Sequence, residues 1–323
     1  MRIETVLLAL GIASIVAGSA FVSQDELQKT SAQKLFAKAT DDDYIGSSAC
    51  TECHEDKVNN FVHSAHYAFS QKDGLALEKS GCEGCHGPGK FHIREDDPEV
   101  IAFKKMTPKE SSAACLRCHQ STMKVSDWHR TDHGRGDLSC VSCHQIHPDS
   151  LNEFNEKSTP PMSIRSDKHL IAKASSKLLK ADETVLCSSC HRGEAAQFRL
   201  SSHHPVPEGK LICSDCHQSH PTKKATNRRE ALKSKSVTCH TEYAGPFAYE
   251  HDPVAGHTGD GCAECHRPHG SQNPDLLKGF SRGMCAQCHT DKATLHYPGR
   301  TCWTSGCHVS LHGSNSSRLF LQP

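Results

Sequence analysis

A Cys-x-x-Cys-His pentapeptide occurs eight times in this chain, beginning at Cys50, Cys82, Cys115, Cys140, Cys187, Cys213, Cys262 and Cys285. The second thiols are Cys53, Cys85, Cys118, Cys143, Cys190, Cys216, Cys265 and Cys288, and the histidines are His54, His86, His119, His144, His191, His217, His266 and His289. This is the spacing of c-type haem attachment. Two thiols one helical turn apart can add to the two vinyl groups on one porphyrin edge, and the imidazole that follows turns to the iron. A zinc ribbon has no need of a His directly after its second Cys, so the repetition tells against zinc, iron–sulfur and disulfide readings.

Two further stretches depart from the pattern. Cys302, Cys307 and His308 keep its order with four residues between the thiols, and the extra pair can bulge away from the vinyl edge. At Ser236, Val237, Thr238, Cys239 and His240 a hydroxyl replaces the first thiol and cannot form a thioether. These sites account for all nineteen cysteines. The expectation is therefore about ten haem c groups, nine on two-Cys motifs and one on a single thioether from Cys239, with no cysteine left for disulfides.

The amino terminus agrees with that chemistry. Residues 1–20 carry Arg2, an apolar run from Val6 to Ala17, and small residues at Gly18 and Ala20, the form of a secretory signal peptide. An uncleaved anchor is the competing reading, but the run is short for a bilayer span. Covalent haem attachment takes place outside the bacterial cytoplasm, so a periplasmic mature protein is expected.

Composition points to a core built around cofactors. With 36% hydrophobic residues, two Trp and a mean hydropathy of −0.57, the chain has little apolar matter for a globule of its length. The apoprotein is expected to be largely unfolded, because cofactor binding then supplies the folding free energy. Lys plus Arg and Asp plus Glu both number 37 and are scattered, which gives no support to nucleic-acid binding.

The proximal histidines reveal a period. His191, His240 and His289 are spaced by 49 residues, as are His217 and His266, and such a period marks an array. The expected fold is a multihaem cytochrome c: mostly irregular, with short α-helices, little or no β-sheet and an extended tandem array of five two-haem modules. A haem-free segment spans 21–48, with a helix from Ser31 to Lys38 after Thr30, and a decahaem domain spans 49–323. Its modules cover about 50–114, 115–150, 187–235, 236–284 and 285–323, with an insertion at about 150–186. Within that insertion Asp167 to Lys180 reads as a helix, either a solvated surface helix or a docking site for an acidic partner.

The same register names sixth ligands for the irons. It selects His66, His92, His133, His147, His203 (or His204), His220, His251, His269, His296 and His312. Histidines lying three or four residues after a proximal His cannot curl onto the far face of the same iron, so each reaches a neighbouring haem. The haem at Cys239 is expected to be ligated by His240 and His251. His63, His129, His169 and His257 remain as surface or supporting residues. An iron between two imidazoles has no open position for substrate, which suits electron transfer and argues against catalysis. A multihaem reductase would need one site to lose its distal ligand.

The order of the ten sites and the segments "CHGPGKFH", "CHQIHP", "SSHHP", "CSDCHQSHP", "GPFAYEHDPV", "CHRPHGSQNPDLL" and "LHGSN" resemble the periplasmic decahaem cytochromes of the MtrA/DmsE family, over about residues 44–318. The resemblance implies a nearly linear haem chain inside an outer-membrane β-barrel porin. Such a chain would pass electrons between a periplasmic or inner-membrane donor and an extracellular cytochrome, mineral or terminal reductase. The alternative is a soluble periplasmic carrier that docks transiently to an oxidoreductase. Ser236, the widened Cys302 motif, the doubled His203 and His204, and the insertion depart from the family pattern.

Overall fold

Most haem motifs end a helix or form a single helical turn, the first lies inside a longer helix, the described residues of the Cys302 motif lie in turns, and the described chain between motifs is mostly turn. The computed structural model describes residues 31–62, 64–93, 101–147, 178–220, 228–292, 301–304 and 306–323. The expected signal peptide, His63, His169 and His296 lie outside these residues, as does most of the insertion. Among the described residues, no helix is long and apolar enough to cross a membrane.

Helix α1 (Ser31–Lys38) follows the expected bounds and lays Phe36 against Arg117, whose guanidinium carbon sits 3.3 Å from the ring centre. Helix α2 (Ser47–Phe61) carries the first motif and leaves helical geometry at His54. Helix α3 (Pro108–His119) starts with a capping box. Thr107 Oγ1 accepts from the Glu110 amide, and the Glu110 carboxylate accepts from the Thr107 amide. Such a cap contributes about 1 kcal/mol, and it fixes the helix whose last turn bears Cys115, Cys118 and His119. Helix α4 (Glu183–Cys190) is capped by Asp182, which accepts from the Thr184 amide. Helix α5 (Arg228–Cys239) ends on Cys239.

Among the described residues, sheet is confined to two antiparallel ladders of two residues per strand. β1 (Ser202–His203) pairs with β3 (Gly270–Ser271), and β2 (Tyr249–Glu250) pairs with β4 (Gly313–Ser314). The short-helix, low-sheet reading of the sequence therefore holds. The apolar core is as sparse as the composition implies, with ten buried hydrophobic residues among those described. One cluster forms, in which Phe36, Phe91, Phe103, Met106 and Ala114 surround Ile101.

The return from the insertion corrects one expectation. Residues 178–180 are not helical: Leu178 has φ 53°, Leu179 bridges His144, the Gln145 amide donates to Leu178 and the Lys180 amide donates to Cys143. The same pattern recurs 98 residues later, where Leu276 has φ 58° and Leu277 bridges His266. Leu178 and Leu179 are thus back in the repeat, and backbone pairing to the motif overrides helical periodicity there.

Candidate haem sites

The backbone treats the two irregular motifs like the others. In the regular motifs the proximal His amide donates to the first Cys carbonyl, at 3.0 Å for His86 and Cys82, 2.9 Å for His191 and Cys187, and 2.8 Å for His217 and Cys213. His240 donates to Ser236 at 3.0 Å in the same way. At the widened site His308 donates to Cys302 at 3.2 Å across the two extra residues. The loss of a thiol and the insertion therefore leave the turn intact.

Among the described residues, nine of the ten proximal imidazoles face a second imidazole. Ring centres are 6.2 Å apart for His54 and His92, 5.9 Å for His66 and His119, 6.2 Å for His86 and His147, and 6.1 Å for His133 and His191. They are 5.7 Å apart for His144 and His220, 6.3 Å for His204 and His240, and 5.9 Å for His217 and His269. The last two pairs are His251 with His289 at 6.2 Å and His266 with His312 at 6.1 Å. A metal–imidazole bond of about 2 Å on each side puts the ring centres of two axial ligands roughly 6 Å apart, so one iron fits between the members of every pair. The remaining proximal residue is His308, and His296 lies outside the described residues.

Two pairings depart from the sequence reading. The ring facing His240 belongs to His204, not to His203 or His251. His203 has both nitrogens engaged, Nδ1 2.6 Å from the Leu200 carbonyl and Nε2 3.1 Å from Glu208 Oε1. His251 is carried by β2 to His289. Matching the His-x-Pro-Val runs at 203–206 and 251–254 points to His203, but the ladders place the facing ring one residue later, just after β1 as His251 is just after β2. Histidines that closely follow a proximal His do face another motif: His147 meets His86, His220 meets His144, His269 meets His217 and His312 meets His266.

Backbone carbonyls set the tautomer of several rings. Nδ1 of His86 lies 2.8 Å from Ile101 O, that of His266 lies 2.6 Å from Asp275 O, and that of His308 lies 2.7 Å from Leu319 O. Among the facing rings, Nδ1 of His204 is 2.5 Å from Pro268 O and that of His147 is 3.2 Å from Lys57 O. A carbonyl can only accept, so each Nδ1 is the N–H that donates and Nε2 is left with a lone pair for iron. Burial holds His66, His86, His217, His251, His269 and His312 below the ordinary imidazole range, so they are neutral and able to ligate. Nδ1 of His66 is buried with no hydrogen-bond partner.

Relatives agree with the reading of the motifs. The doubled CXXCH motif family matches residues 251–294, and the cytochrome c-type protein NrfB-like family matches residues 82–165. Multiheme cytochrome MtrA of Shewanella baltica is 29% identical over 293 residues, which cover 84% of this chain and 79% of that protein. The chain is a multihaem c-type cytochrome homologous to MtrA. Cytochrome c-type protein NrfB of Escherichia coli is 26% identical over 165 residues, 47% of this cytochrome and 83% of that one. NrfB of Haemophilus influenzae is 24% identical over 163 residues, 43% of this cytochrome and 72% of that one. The Cys-x-x-Cys-His motifs of this cytochrome bind haem c.

Proposed function

We propose that this cytochrome holds ten haems in file and conducts electrons along them between a periplasmic or inner-membrane donor and an outer-membrane or extracellular acceptor, seated within a porin. Each haem, when bound, supplies a one-electron Fe(III)/Fe(II) couple. The observation that carries the reading is the set of nine facing imidazole pairs, because a ring on each face leaves no iron position open to substrate. The proximal ligands are His54, His86, His119, His144, His191, His217, His240, His266, His289 and His308. The facing ligands of the first nine are His92, His147, His66, His220, His133, His269, His204, His312 and His251, in the same order, and the sequence register leaves His296 for His308. On this reading the protein is an electron carrier rather than an enzyme.

Thiol positions support the file. The leading thiols of the first and second motifs, Cys50 and Cys82, and the second thiols of the second and third motifs, Cys85 and Cys118, are close enough to interact. This alternation runs on through the chain and brings successive motifs together. The Ser236 to His240 turn carries the seventh haem on the Cys239 thioether alone. Export through the residues 1–20 signal and five two-haem modules complete the reading.

A freely diffusing periplasmic carrier is the second reading. A stretch covering 47% of this chain accounts for 83% of NrfB of E. coli, so a shorter cytochrome with this pattern exists by itself. Gentle extraction of outer membranes from the native host separates the two. Co-purification with a large β-barrel protein is the result expected of the conduit, and recovery of the cytochrome alone from the periplasmic fraction overturns it. The intact mass of the denatured protein counts covalent haems, with ten expected.

A further inference from the structure

The file of thiols has one interruption, and its geometry says which edge of the haem it affects. In four modules the leading thiols of the two motifs lie close enough to interact: Cys50 with Cys82, Cys115 with Cys140, Cys187 with Cys213, and Cys285 with Cys302. Between modules it is the second thiols that approach one another: Cys85 and Cys118, Cys143 and Cys190, Cys216 and Cys239, and Cys265 and Cys288. Each regular motif therefore turns its leading thiol toward the other motif of its module and its second thiol toward the adjacent module. The junction left over is that of Ser236 with Cys262.

Ser236 occupies the leading position in both backbone and packing. Its carbonyl accepts from His240 as the first Cys does elsewhere, at 3.0 Å. Helix α5 packs against the turn Gly261–Glu264 that carries Cys262. The Ser236 side chain is partly buried there, whereas Cys239 is exposed on the side toward Cys216.

We infer that the haem anchored by Cys239 keeps one intact vinyl group, that this vinyl lies along Ser236 at the junction with the Cys262 motif, and that position 236 is an empty thioether site which a thiol would close. This rests on the proposed reading that Cys239 carries a haem. Closure is the addition of S–H across C=C: sulfur bonds to the inner vinyl carbon, hydrogen goes to the terminal carbon, and the π bond is consumed. It needs no oxidant and releases no leaving group. A serine hydroxyl is too weak a nucleophile for this addition, so the double bond stays conjugated with the macrocycle and withdraws electron density from the iron. The inference gives the seventh site a distinct electronic character at the one junction where two leading thiols do not meet.

The test combines mass, alkylation and spectroscopy on the protein matured in its native host. Intact mass of the unaltered protein should give ten haems, and its haem peptide containing Cys239 should show a reduced pyridine-complex band to the red of the other haem peptides. In Ser236→Cys the haem number should stay the same, the new thiol should resist alkylation after denaturation, and the red shift should vanish. A Glu242→Cys control places a thiol beyond the motif's His, at an exposed position, and should be alkylated fully. If Ser236→Cys retains ten haems yet its thiol is alkylated, the inference falls while the single-thioether reading survives. Nine haems in the unaltered protein overturns both. If Ser236→Cys does not accumulate, the unaltered peptide decides, because a band coincident with the others overturns the inference.

Discussion

The imidazoles of His204 and His240 face each other with ring centres 6.3 Å apart, while His203, one residue earlier, is held between Leu200 and Glu208. This makes His204 the expected distal ligand of the degenerate site. His204→Ala should convert one haem from low spin to high spin, seen as a new high-spin signal in paramagnetic resonance. His203→Ala should leave the spectrum unchanged. The reverse result would return the role to His203.

Gly270, the first residue of β3, directly follows His269, whose ring faces His217. A Cβ there would overlap the carbonyl of Gln197, and backbone cannot yield as a flexible side chain would. Gly270→Ala should lower stability by about 1–3 kcal/mol, the usual cost of forcing extra atoms into a packed site. Chemical unfolding monitored at the haem band would register the loss, and an unchanged midpoint would contradict the close approach.

Glu83, inside the second motif, is 5% exposed, and its carboxylate accepts from the Ile45, Gly46 and Gly89 amides at 2.9, 2.8 and 2.7 Å. One side chain thus fastens the N-terminal segment to the second haem turn. Glu83→Gln replaces an acceptor oxygen with a donor that cannot serve these amides and should cost about 1–3 kcal/mol. Faster amide hydrogen exchange at Ile45 and Gly46, with the haem count unchanged, is the expected signature.

Asp43 accepts from the Thr40 amide and hydroxyl at 2.9 and 2.8 Å and pairs with Lys90 at 3.3 Å. The Thr40 backbone hydrogen bond, more than any other contact, holds the Asp43 carboxyl below its usual 3.8. A depressed folded value means that the carboxylate stabilises the native turn above pH 3.8, and that this contribution fades as pH falls through the lower, folded value. Exchange of the Thr40 amide should accelerate over that acid range, and Asp43→Asn should remove the pH dependence.

With ten buried hydrophobic residues among those described, the polypeptide lacks the apolar area to offset its chain entropy. Protein made without haem attachment should show little helical circular dichroism, whereas the haem-loaded form should show the short helices. A folded apoprotein would contradict a cofactor-built core.

The motif positions, the cofactor, the 49-residue period and the low sheet content were legible in the sequence. Covalent attachment is written within five residues, and a local turn such as that from Cys187 to His191 needs no distant partner to form. The helix at Ser31–Lys38 was legible for the same reason. The tertiary structure decided what depends on segments far apart in the chain: that His204 rather than His203 or His251 meets His240, that residues 178–180 bridge His144 instead of extending a helix, and that leading and second thiols alternate along the file. A sixth ligand arrives from tens of residues away, so ladder register and backbone pairing select it, and a slip of one residue reverses which side chain faces the iron.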